Sequence, residues 1–144
     1  MNILLVEDNE GDILLTQEAL FEADPNCEVS IVRDGDSGLD FVFKRGRYKN
    51  EVTPDLILLD INLPKKNGHE VLKILKTSEE FRMVPVVFLT TSSDRKDITL
   101  GYANGVNCYV TKDFILEDLT EIVYQIAYFW SSVASLPSGM NELD

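Results

Sequence analysis

Short, wholly apolar runs alternate with helix-period segments along this chain. Ile3-Leu4-Leu5-Val6, Leu56-Ile57-Leu58-Leu59 and Val86-Val87-Phe88-Leu89 contain no polar residue. A strand exposed on one face would alternate apolar with polar side chains, so unbroken runs predict strands buried on both faces. Strands are expected at 2–6, 28–32, 55–59, 85–89 and 107–110. Between them Ile13, Leu14, Gln17, Ala19, Leu20 and Phe21 follow helical spacing, as do Leu39, Phe41, Val42 and Phe43. A third helix carries Val71, Leu72, Ile74 and Leu75, and a fourth carries Ile98, Leu100, Tyr102 and Ala103. Gly105 sits where a helix C-terminus wants glycine, and Pro85 opens a strand where a missing N–H costs least. This alternation predicts an α/β fold: a doubly wound, five-stranded parallel sheet with right-handed crossovers and helices on both faces.

The last helix, expected from about Ile115 to Ala134, is apolar on more than one side. One row runs through Ile115, Leu119, Ile122, Ile126, Phe129 and Val133. A second runs through Leu116, Val123, Ala127 and Trp130, with Tyr124 and Tyr128 alongside. One row is enough to dock on a sheet. Two rows are either a wide stripe inside the monomer or a second surface for a dimer or another partner.

The chain has 144 residues, the size of one domain with a proper core. A formal net charge of −12 argues against nucleic acid and anionic membrane surfaces as partners. No apolar stretch approaches the ~18 residues of a membrane span, and the N-terminus enters a strand with no signal-peptide pattern. Cys27 and Cys108 lack metal-type spacing and read as a reduced pair. A soluble, cytoplasmic protein is the expectation.

Candidate chemistry gathers where strands end. Asp60 closes the run Leu56–Leu59 before a turn containing Pro64 and Gly68, and Glu7 and Asp8 close Ile3–Val6. Open α/β sheets bind ligands at this carboxyl edge. Three carboxylates on one edge repel each other unless a cation sits among them, which points to a hard-metal site. Phosphoryl transfer to a carboxylate needs a nucleophile, a divalent cation, a positive side chain and hydrogen-bond donors. Asp60 is the candidate nucleophile. Asp8, Asp60 and the Asn62 carbonyl are expected to hold Mg²⁺ directly, with Glu7 acting through water. Lys112, after Cys108-Tyr109-Val110-Thr111, is placed to pair with a phosphoryl oxygen, and Thr90 offers a hydroxyl. Each residue alone has a plain structural reading: a cap, a turn or a solvated lysine. Their combination at four strand ends is what points to function.

These motifs resemble the receiver domain of two-component response regulators, from Ile3 to about Ala127. Leu5-Val6-Glu7-Asp8-Asn9 is similar to the acidic-pair motif, and Leu58-Leu59-Asp60-Ile61-Asn62-Leu63-Pro64 to the phosphoacceptor motif. Leu89-Thr90-Thr91-Ser92 resembles the switch-hydroxyl segment, and Tyr109-Val110-Thr111-Lys112 the switch aromatic and lysine. Leu63-Pro64-Lys65-Lys66-Asn67-Gly68, Val106-Asn107-Cys108-Tyr109 and Phe129-Trp130 further resemble the small stand-alone regulators of cyanobacterial-type phytochromes. The resemblance implies a flavodoxin-like receiver fold with strand order 2-1-3-4-5; the domain is expected over residues 1–136, with 137–144 as a flexible tail. It implies Mg²⁺-dependent phosphotransfer from a histidine kinase to Asp60, without a separate substrate, so the chain is not expected to be an enzyme. Thr90 and Tyr109 would be the switch, reshaping the surface of the fourth helix, fifth strand and fifth helix. Asn62 and Ser92 would tune dephosphorylation. Tyr124, Tyr128, Phe129 and Trp130 would form a homodimer or partner interface.

Asp113 departs from the family pattern, which usually has proline after the lysine. Either a trans bond with an altered loop or a strained cis bond is expected there. This departure keeps open a second reading, a constitutive docking protein with a receiver fold. Gly35-Asp36-Ser37-Gly38 looks like a serine-protease signature, but the only histidine is His69 and no oxyanion arrangement accompanies it. Asp36 or Ser37 is instead expected to cap the second helix, and His69 to be solvated.

Overall fold

The computed structural model describes residues 1–112 and 116–137. In chain order the elements are β1 (Asn2–Val6), α1 (Glu10–Ala23), β2 (Glu28–Val32), α2 (Gly35–Val42), a 3-10 turn (Gly46–Tyr48) and β3 (Leu56–Leu59). There follow α3 (Gly68–Lys76), β4 (Val86–Thr90), α4 (Arg95–Ala103), β5 (Cys108–Thr111) and α5 (Leu116–Tyr128), which runs into a π-helical turn (Phe129–Val133). All strand pairs are parallel and the sheet order is β2-β1-β3-β4-β5, the expected topology. Ile115 and Asp113 lie outside the described residues, as does the tail from 138 onward.

Alternate residues of each central strand face opposite layers. Leu4, Val6, Ile57, Leu59, Val86 and Phe88 pack with Leu39, Val42, Leu72 and Leu75 of α2 and α3. Ile3, Leu5, Leu56, Leu58, Val87 and Leu89 pack with Ile13, Leu20, Leu119 and Val123 of α1 and α5. The unbroken apolar runs are explained by these two cores, since neither face of β1, β3 or β4 meets water. Burying each such side chain contributes about 1.5–3 kcal/mol.

Side-chain caps start the helices. Asn9 accepts the Asp12 N–H at 2.9 Å, and Asn67 and Glu70 form a reciprocal capping box on α3. For α2 the cap is Asp34, not Asp36 or Ser37. Asp34 has extended backbone and accepts the Ser37 N–H at 2.7 Å, whereas Asp36 and Ser37 already lie inside the first turn of the helix.

The fourth helix also departs from expectation. Its apolar residues do not form a buried stripe: Leu100, Tyr102 and Ala103 are exposed, and Gly101 alone is buried. A Cβ at Gly101 would stand 3.0 Å from the Phe88 ring. Close backbone approach therefore docks α4, leaving its larger apolar side chains outside.

Candidate functional site

Ladder bonds fix the residues just past the strand ends. The Glu7 N–H donates to the Val32 carbonyl and the Asp60 N–H to the Val6 carbonyl, both at 3.1 Å. The Lys112 N–H donates to the Thr90 carbonyl at 2.6 Å. The sheet thus carries Glu7, Asp60, Thr90 and Lys112 to one edge. Gly68 closes the loop that follows Asp60, and a Cβ there would stand 2.3 Å from the Asp60 carbonyl oxygen, so no side chain fits.

Oxygen atoms of Glu7, Asp8 and Asp60 lie within 4.8 Å of one another. Lys112, only 3% exposed, points its ammonium into the same cluster. It contacts Glu7 Oε1 closely, Asp12 Oδ2 at 2.9 Å and Asp60 Oδ2 at 3.5 Å. Glu7 Oε2 accepts the N–H groups of Asp8 and Asn9 at 3.0 and 3.1 Å, and Asp60 Oδ1 accepts the Ile61 N–H at 2.7 Å. Burial, then repulsion from Asp60, raises the Glu7 pKa to about 7 against the pull of Lys112. Burial works against the Lys112 charge, but attraction by Asp60, Glu7 and Asp12 outweighs it and holds its pKa above the ordinary value.

A hard divalent cation fits this donor set. All three side chains offer carboxylate oxygen, and a cation among them would offset the repulsion between Glu7 and Asp60. Asn62 is exposed in the loop two residues beyond Asp60.

A second network leads away from the cluster. Thr90 is fully buried, and its Oγ1 accepts the Ser92 N–H at 3.4 Å. The Ser92 carbonyl accepts the Tyr109 hydroxyl at 2.8 Å, and Ser92 Oγ donates to Asp97 Oδ2 at 2.6 Å. Asp97 Oδ1 is 3.0 Å from His69 Nε2. The Tyr109 ring stands edge-on to Phe88, with centroids 5.7 Å apart, and its N–H donates to the Tyr102 hydroxyl at 3.1 Å. Burial raises the Tyr109 pKa, which keeps the hydroxyl a donor.

His69 is therefore not solvated. Its side chain is 12% exposed and edge-on to Phe88 at 5.3 Å, and its Nδ1 is buried with no hydrogen-bond partner. A position early in α3 looked like surface, but α4 folds over it and supplies Asp97 as partner.

A model of the response regulator receiver domain matches residues 3–124. The chain belongs to the response regulator receiver family. The response regulator Rcp1 of Synechocystis sp. is 44% identical over 137 residues, 95% of this chain and 93% of Rcp1. A structure of the phosphorylated cyanobacterial phytochrome response regulator RcpA superimposes with a TM-score of 0.93 at 48% identity, covering 95% of this chain and 98% of that one. The Mn²⁺-bound form of Rcp1 gives 0.92 at 44% identity, covering 95% and 99%. A metal bound in so similar a chain agrees with the carboxylate cluster of this receiver.

At the far end of the receiver, apolar side chains of α5 divide between the core and the surface. α5 buries Leu119, Val123, Ile126 and Ala127, drawn from both apolar rows. Tyr124, Tyr128, Phe129 and Val133 are exposed, and Trp130 is half-buried with its ring edge-on to Phe129 at 5.2 Å. Phe129 and Trp130 border a groove of about 470 Å³ with Val87, Asn107, Cys108 and Ile126. No described helix is long and apolar enough to cross a membrane.

Two site residues were missed in the sequence. Asp12 was not singled out, and its place one helical turn after Asp8 is the one signal that could have marked it. Asp97 carried no signal, because its partners come from α3 and the loop before α4.

Proposed function

We propose that the chain is a phosphorylation-controlled switch, with Asp60 accepting a phosphoryl group from a histidine kinase in a Mg²⁺-dependent reaction. The observation that carries this is Lys112: a buried ammonium set 3.5 Å from the Asp60 carboxylate among three acids. The Ile61 N–H holds Asp60 Oδ1 and fixes the carboxylate plane. An oxygen of Asp60 attacks phosphorus as the phosphorus–nitrogen bond of a phosphohistidine breaks. The electron pair leaves with the imidazole nitrogen, which takes a proton from solvent. Lys112 balances the charge on the transferred group, and the Thr90 hydroxyl donates to one of its oxygens. Glu7, Asp8 and Asp60, with the Asn62 carbonyl, would hold Mg²⁺, which supplies positive charge against the phosphoryl oxygens. The chain assists its own modification and acts on no separate substrate.

The signal passes from Thr90 to Ser92, and from there to Tyr109 and α4. Asn62 and Ser92, flanking the site, set how long the phosphoryl group lasts. The partner kinase is of the phytochrome type, a reading supported by the likeness to RcpA. The surface of Tyr124, Tyr128, Phe129 and Trp130 pairs two copies or receives a partner.

Mass spectrometry after acetyl phosphate treatment tests the core of this reading. A single labile adduct is expected with Mg²⁺, absent without it and absent in Asp60→Asn. No adduct from acetyl phosphate or from candidate kinases would overturn it in favour of a constitutive docking protein.

A further inference from the structure

Lys112 donates hydrogen bonds to Glu7 and Asp12, and its ammonium stands 3.5 Å from Asp60 Oδ2. The three partners are unequal. Glu7 is buried and its second oxygen is tied to the N–H groups of Asp8 and Asn9. Breaking its contact with Lys112 would strand a buried carboxylate, which is costly. Asp60 is the residue that takes the phosphoryl group. Asp12 sits in the first turn of α1 with 22% of its side chain exposed, so water can replace the lysine when the contact opens. A phosphoryl oxygen on Asp60 needs a charge-assisted bond from Lys112, and it competes for an ammonium that Glu7 and Asp12 now hold.

We propose that Asp12 is a positioning residue: it holds the Lys112 ammonium in the unphosphorylated protein and is the partner released when Asp60 carries a phosphoryl group. The strength of the Asp12–Lys112 pair then sets how readily the site accepts and keeps that group. This inference rests on Asp60 being the phosphoacceptor. It differs from a simple helix-dipole role for a first-turn acid, which would act on stability alone.

Beryllofluoride, a tetrahedral phosphoryl mimic, provides the test. Its affinity at saturating Mg²⁺ is measured by ¹⁹F NMR for the full chain, beside the affinity for Mg²⁺ alone. Asp12→Asn is expected to bind beryllofluoride about fivefold more tightly, with Mg²⁺ binding unchanged or weaker. Asp12→Glu restores the wild-type value, and Glu18→Gln, which removes an exposed charge from the same helix, leaves it unchanged. Asp12→Ser serves as a second variant should Asp12→Asn fold poorly. A plain loss of stability would weaken both ligands together. Unchanged or weaker beryllofluoride binding in Asp12→Asn and Asp12→Ser overturns the inference, as does an equal gain in Glu18→Gln. If the wild type itself takes no beryllofluoride with Mg²⁺, the phosphoacceptor reading fails and this inference fails with it.

Discussion

The Tyr109 hydroxyl donates to the Ser92 carbonyl at 2.8 Å, joining β5 to the loop that follows Thr90. The two residues lie 17 positions apart. The bond turns the tyrosine ring inward against Phe88, and Ser92 passes the connection to Asp97 and α4. One loop residue thus links the buried threonine, the tyrosine of β5 and the exposed helix.

Replacing Tyr109 by Phe keeps the ring contact with Phe88 and removes only this bond. Loss of a net hydrogen bond is expected to lower stability by about 1 kcal/mol, read as a lower urea midpoint with unchanged slope. The loop before α4 should exchange its amide hydrogens faster. Unchanged exchange at Ser92 would show that the bond does not hold the loop.

The hydrogen bond from Ser92 and then that from His69 hold the Asp97 carboxyl below its ordinary pKa. A carboxylate depressed in the folded state stabilises the fold above its unfolded pKa and loses that contribution as pH falls through the folded value. Between pH 6 and pH 3, stability is therefore expected to fall less steeply in Asp97→Asn than in the wild type. Urea midpoints across that range are the measurement, and parallel curves would contradict the prediction.

Adding Mg²⁺ should stabilise the folded chain through the Glu7, Asp8 and Asp60 carboxylates. A ligand at a hundredfold its Kd adds about 2.7 kcal/mol, visible as a higher Tm. Asp8→Asn, at the most exposed of the three, is expected to abolish the gain without lowering the Tm of the metal-free chain. A persisting gain would place the cation elsewhere.

Changing Phe129 and Trp130 together to Ala empties one wall of the groove beside Cys108 and Ile126. In sedimentation the wild type is expected to form dimers at high concentration and the double variant to stay monomeric. A monomeric wild type would assign the surface to another partner.

The fold was legible because the core is two-sided. Unbroken apolar runs have few alternatives when every apolar side chain of β1, β3 and β4 is buried. Asp60, Glu7, Asp8 and Thr90 were legible for the same reason, since polar residues at the ends of such runs stand out; Lys112 follows the partly buried β5 and was legible through its motif. The fourth helix misled because Gly101, the residue that docks it, contributes no apolar signal.

Chain order and local pattern by themselves determined the strands, the crossovers and the edge where the carboxylates meet, because these follow from periodicity and handedness. Tertiary structure decided which charges share a hydrogen. That Lys112 meets Asp12, across 100 residues, and that His69 meets Asp97, across 28, depends on how elements close over one another. Side-chain contacts of this kind have no period and no local spacing, so only the packed molecule reveals them.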